Sequence, residues 1–250
     1  RIVPKKRYYK INISMVDSSK YSVINTNIRY IEIDGINYIE KDVRSNCKLG
    51  LTQGELFKYF HEYIKEITST EINFPKIHSY EIKYDHISFI CAEEGTNILE
   101  KYTLDELVFG KGRKALINVI SELEKAVTSN LNIDPHIKNF VIKNDLVSFV
   151  DFSPPYTEEF FQLRLSIAKK EEKEIIEDNF DYFRPKNIHH HFLGDFLNVD
   201  PLISEKLLQE IFSLMKRELN LEQSFNDFFS ISRKIRKTED ERLRRNIFLF

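Results

Sequence analysis

NIDPHIKNFVIKNDLVSFVDFSPP, residues 132–155, sets two acids and an amide around a short hairpin. The apolar runs FVIK and LVSFV flank Asn144-Asp145, a dipeptide that tolerates the backbone of a tight turn, so two short strands are expected here. Asp134 and Asn139 stand five positions apart in a D-x-x-x-x-N frame, and Asp151 opens D-F-S at the end of the second run, 17 positions after Asp134. Moving a phosphoryl group needs these residue types: a carboxylate to orient an acceptor hydroxyl, and hard oxygen donors to hold Mg²⁺. Read alone, Asp134-Pro135 is a turn starter and Asn139 a cap. Asp151 is harder to explain without chemistry, because a carboxylate ending an apolar strand needs a partner or a cation.

Upstream, YYKINIS, YSVINTNIRYIEI and INYIEKDV are rich in Ile, Val, Tyr and Thr at period two, and Asp34-Gly35 joins the last two as a hairpin. From about Leu51 to Ile67 one helical stripe carries Leu56, Phe57, Phe60, Ile64 and Ile67, with Thr52 as the expected cap. EIKY and HISFICA read as a second hairpin about Asp85, and Glu93-Glu94-Gly95 ends the strand pattern. A long helix is expected from Gly112 to Ser129, with Leu116, Val119, Ile120, Leu123 and Val127 on one face. From Thr157 onward, charged helical stretches such as LRLSIAKKEEKEIIEDNF alternate with apolar ones such as LLQEIFSLM. The class is therefore α+β: a β-rich lobe with one helix over residues 1–92, and a mainly helical lobe over 93–250 that contains the hairpin.

In that order the chain resembles the protein kinase-like fold, and within it the small-molecule kinases of the aminoglycoside phosphotransferase and choline kinase group. Lys41 ends the strand INYIEK, Glu62 lies 21 positions on along the amphipathic helix, and ICAEEG occupies the hinge position. The resemblance spans roughly residues 20 to 155, and its specific part is Asp134, Asn139 and Asp151. It implies a bilobal kinase-like fold with ATP in the cleft: Asp134 orienting the acceptor hydroxyl, Asn139 and Asp151 binding Mg²⁺, Lys41 on the α/β-phosphates, and Glu62 orienting Lys41. The backbone of Ala92, Glu93 and Glu94 would bind adenine. His136, inside the loop, and Asp195 are candidate substrate contacts, and for a cationic acceptor Asp200 and Glu158 add to an acidic surface. Glu55 and Glu66 share the helix with Glu62, and any of the three reads equally as a surface partner of Lys58 or Lys65. The acceptor class is a hydroxylated small molecule such as a sugar, amino sugar, nucleoside or peptide metabolite, as in antibiotic biosynthesis or resistance.

The chain departs from the pattern in two places. Asn132 stands where the family usually has a scaffolding His, and no G-x-G-x-x-G lies between the first strands, with only seven glycines in the chain to build one. These departures keep open a pseudokinase that binds nucleotide or a partner without transfer, and a helical partner-binding module that binds no nucleotide. Pro154-Pro155 fixes the chain after D-F-S, where a phosphorylated activation segment would need mobility.

Over 250 residues, 42% hydrophobic and 30% charged residues describe a folded globular chain, and the net charge of −2 gives no bulk attraction to nucleic acid. No apolar run approaches a membrane span, and the opening RIVPKKRYYK lacks a signal-peptide core, so a cytoplasmic protein with a trimmed N-terminus is expected. Cys47 and Cys91 form no metal or disulfide pattern. His189, His190 and His191 point in three directions and cannot all reach one ion, so a surface or cleft-lining role is expected. The segment SRKIRKTEDERLRR spaces opposite charges three to four apart, as a solvated helix does, and the terminal IFLF is expected to pack on the body.

Overall fold

The computed structural model describes residues 24–45 and 49–245, without the side chains of 24–26 and 45. The expected strand YYKINIS, Cys47 and the terminal IFLF lie outside the described residues. Strands β1 (Ile24–Ile33) and β2 (Ile36–Ser45) form an antiparallel hairpin in which Ile33 opposes Ile36. Asp34 and Gly35 between them take φ of 53° and 78°, the positive pair that a two-residue turn of this kind requires. Helix α1 (Gln53–Thr68) follows, its N-terminus closed by a Thr52/Glu55 capping box. Strands β3 (Ile77–Ile82) and β4 (Ile87–Ala92) complete a four-stranded sheet of order β1-β2-β4-β3.

A second sheet, of order β5-β6-β7, is formed by β5 (Thr96–Asn97), β6 (Phe140–Lys143) and β7 (Leu146–Phe149), with Asn144 and Asp145 at φ 49° and 67° in its hairpin. The rest is helical: α2 (Ile98–Lys101), α3 (Leu104–Phe109), α4 (Arg113–Thr128), α5 (Glu158–Ile167), α6 (Lys170–Asp181), α7 (Pro185–Val199), α8 (Glu205–Leu219) and α9 (Phe225–Arg244). The chain is thus α+β, with a small antiparallel sheet near its N-terminus and a mainly helical remainder.

Helix α1 buries Leu56, Phe60, Tyr63 and Ile67, while Phe57 and Ile64 of the expected stripe stay half-buried. Helix α4 buries Leu116, Val119, Ile120 and Leu123 as their spacing dictates, together with the unexpected Glu122. That carboxylate accepts from the backbone N–H and side-chain amide of Asn73, both at 2.8 Å, and from Lys125 at 2.7 Å. Asn73 in turn accepts from the Phe149 N–H at 2.9 Å, so one acid ties the segment before β3 to α4 and β7. The charged stretch after Thr157 is two helices, broken where Ala168 and Lys169 turn extended at ψ 145° and 153°. Among the described residues no helix is long and apolar enough to cross a membrane.

Candidate functional site

Lys41 is the alternate residue of β2 between Ile39 and Val43, opposite Phe89 of β4, and its side chain is buried. A buried ammonium needs an anion, and Lys41 Nζ finds Asp151 Oδ1 at 3.1 Å while lying 4.1 Å above the Phe152 ring. The two residues are 110 positions apart. Asp151 follows β7, and the Ser153 N–H caps the same Oδ1 at 3.2 Å. Asn139 ends a 3₁₀ turn (Ile137–Asn139) and donates Nδ2 to the Asp134 carbonyl at 3.2 Å, so its oxygen is the end a cation would meet. Asn139 and Asp151 therefore offer hard oxygen donors of the kind Mg²⁺ takes, on either side of the β6–β7 hairpin.

Asp134 is buried and its carboxylate faces inward. Oδ1 receives the His136 N–H at 3.2 Å and a short contact from His136 Nδ1, and Oδ2 accepts from the Tyr156 hydroxyl at 3.3 Å. Burial alone would raise its pKa, but the adjacent His136 outweighs that and holds the carboxyl well below the ordinary range. Asn132 donates to the Tyr156 carbonyl at 3.0 Å, and its own carbonyl accepts from Tyr63 of α1 at 2.9 Å. The loop is thus tied to α1 and to the segment after D-F-S.

Three expected placements are corrected. Glu62 does not meet Lys41: the inward face of α1 is Leu56, Phe60, Tyr63 and Ile67, and Glu62 lies off it, exposed in a groove of about 520 Å³ with Glu55, Lys58 and Glu159. The partner of Lys41 is Asp151. Asp195 does not face a cationic acceptor, because it is buried on α7, where Oδ2 accepts the Ile137 N–H at 3.0 Å and steadies the loop. Asp200 caps Leu202 N–H at 2.9 Å and Glu158 pairs with Arg184 at 3.1 Å, so neither joins Asp195 in one acidic surface. Of the His189–His191 run, expected at a surface or cleft, His191 is buried, whereas His189, 3.4 Å from Glu124, and His190, stacked on Phe228, are half-buried.

At the segment expected to be a hinge, the Ala92 N–H donates to the Lys76 carbonyl at 2.9 Å, and the Glu93 carbonyl accepts from Lys143 Nζ at 2.9 Å. Gly95, at φ 117°, lies so close to β6 that a Cβ would stand 2.3 Å from the Ile142 carbonyl oxygen. His136 is buried, not presented at an opening, and its Nε2 lies 3.5 Å from Asp195 and 3.6 Å from Glu239 of α9. Burial would lower its pKa, but Asp134 and Asp195 outweigh that and push it well above the ordinary value. Glu239 and Arg242 are buried as well, which a solvated α9 would not show, and Arg242 donates to Asn179 at 3.2 Å. The i,i+3 and i,i+4 pairs of Arg236 with Glu239 and Asp240 do form. Sequence reasoning missed Glu239 because its alternating charges resemble an exposed helix. Compared with known proteins, the chain matches no family model and no curated protein.

Proposed function

We propose that this chain has a kinase-like fold and is a Mg²⁺-dependent ATP phosphotransferase acting on a hydroxyl of a small molecule. The observation that carries the reading is the ion pair between Lys41 of the sheet and Asp151 after β7, at 3.1 Å. On binding, Lys41 exchanges Asp151 for the α/β-phosphates while Asp151 and Asn139 take the cation, so each charge keeps a counter-charge. The adenine would lie against the backbone of Ala92, Glu93 and Glu94, where Lys143 already occupies the Glu93 carbonyl.

A second reading, nucleotide binding without transfer, is favoured by Asp134, whose carboxylate is engaged by His136 and Tyr156. Isothermal titration with ATP, with and without Mg²⁺, on the wild type and Asp151→Ala tests the shared part. Mg²⁺-dependent binding lost in the variant supports both readings, and no binding to the wild type overturns both. Mg²⁺-dependent ATP turnover by the wild type, abolished in Asp134→Asn, then selects the transferase.

A further inference from the structure

We propose that His136, His191 and Glu239 form a second, structural metal site, taking a first-row divalent cation such as Zn²⁺, that ties the loop carrying Asp134 to α7 and α9. One ligand atom from each of the three residues lies within 4.8 Å of the other two, and all three residues are buried. His191 is only 3% exposed and neither of its ring nitrogens has a hydrogen-bond partner. Leaving an imidazole buried and unpartnered is costly, and its Nε2 faces Glu239 Oε2 at 3.9 Å, beyond hydrogen-bond reach. His136 Nε2 stands 3.6 Å from Glu239 Oε1 and 3.5 Å from Asp195 Oδ1. Donor atoms that converge at this spacing without bonding one another leave room for a cation: tetrahedral ligands at about 2.0–2.1 Å from Zn²⁺ lie roughly 3.3 Å apart.

The surroundings fit. The other ring nitrogen of His136 meets Asp134, as metal-bound imidazoles direct their second nitrogen to a carboxylate. Arg236 holds Glu239 Oε2 at 3.0 Å, which orients the carboxylate and leaves Oε1 toward His136. Asp195 Oδ1 lies beside His136 Nε2 at 3.5 Å, outside the group of three. Two imidazoles with a carboxylate select Zn²⁺ or a neighbouring transition ion over Mg²⁺ or Ca²⁺. This site is separate from the oxygen donors of Asn139 and Asp151, and it stands whether or not the chain binds nucleotide.

The test is made on the full chain without a histidine tag. The protein is incubated with Zn²⁺, gel-filtered and assayed for metal by mass spectrometry, and a Co²⁺-loaded sample is examined for visible d–d bands. Retention of about one equivalent is expected, with intense Co²⁺ bands of a four-coordinate site. His191→Ala and Glu239→Gln are expected to lose the retained metal, while His189→Ala and His190→Ala keep it. Far-UV circular dichroism checks each variant's fold, and the Co²⁺ spectrum of the wild type depends on no variant. Wild type that retains no metal would overturn the proposal, leaving a protonated histidine network; so would equal loss in His189→Ala and His191→Ala, or retention unchanged in both His191→Ala and Glu239→Gln.

Discussion

Neutralising Lys41 and Asp151 singly and together measures the contact on which the functional reading rests. The side chains are 9% and 17% exposed, so either charge left alone is largely desolvated. In Lys41→Met the Asp151 carboxylate keeps the Ser153 N–H, and in Asp151→Asn the ammonium keeps the Phe152 ring at 4.1 Å. Breaking a buried pair from one side costs about 3–5 kcal/mol, and these residual contacts and partial exposure place each single variant near the lower end, about 3 kcal/mol. The double variant has no stranded charge, so its loss should fall short of the summed singles by about 2 kcal/mol, within the range seen for directly contacting residues. Urea unfolding followed by far-UV circular dichroism reads all four proteins, since the chain has no Trp. Losses that add to within about 0.5 kcal/mol would refute the pair. With Mg²⁺-ATP at a hundred times its Kd the wild type should gain about 2.7 kcal/mol, and neither single variant should gain as much at that concentration.

Gly95→Ala puts a Cβ 2.3 Å from the Ile142 carbonyl at a φ of 117°, and a loss of roughly 3 kcal/mol in the same urea assay is expected. Glu122→Ala strands both Asn73 donors and should cost about 3 kcal/mol, whereas Glu124→Ala, two residues on and on another face of α4, should cost little. The Cys91 thiol is buried and pushed up to about 11 by that burial, against the opposing pull of Lys41, so iodoacetamide at pH 8 should leave it unmodified until urea is added. Peptide mapping reads this directly, and native labelling would mean that the face of β4 carrying Cys91 is open. Tyr156→Phe removes the hydroxyl at 3.3 Å from Asp134 Oδ2; if an acceptor must displace it, Mg²⁺-dependent ATP turnover should rise, by up to about tenfold for a bond of about 1.4 kcal/mol.

What could be read from the sequence is what short-range chemistry decides. Asp34-Gly35 and Asn144-Asp145 turn as expected because positive φ is a property of the dipeptide itself, and Thr52 caps α1 because Glu55 stands three residues on. Glu122 sits on an apolar helix face, yet its partner Asn73 lies 49 positions earlier, so nothing near it announces burial. Distance from Lys41 along the chain points to Glu62, whereas the helix phase is set by Leu56, Phe60, Tyr63 and Ile67. In α9 the alternation of Arg236, Glu239 and Asp240 mimics a surface helix, and only packing against α6 and α7 shows that Glu239 and Arg242 turn inward. The grouping of His136, His191 and Glu239 joins a loop and two helices and has no local signature.

The loop bearing Asp134 is held to the rest of the chain by residues distant in sequence. Tyr63 of α1 grips the Asn132 carbonyl, Asn132 grips Tyr156, and Asp195 of α7 grips the Ile137 N–H. A shift of the first sheet and α1 away from the helices therefore strains Tyr63–Asn132 and Lys41–Asp151 together. The loop itself stays anchored to α7 through Asp195. On the proposed reading, the ion pair is the contact that a nucleotide replaces with charges of the same sign on each side. The Tyr63 bond needs no such exchange, so it can keep Asp134 in register with the sheet while Lys41 changes partner.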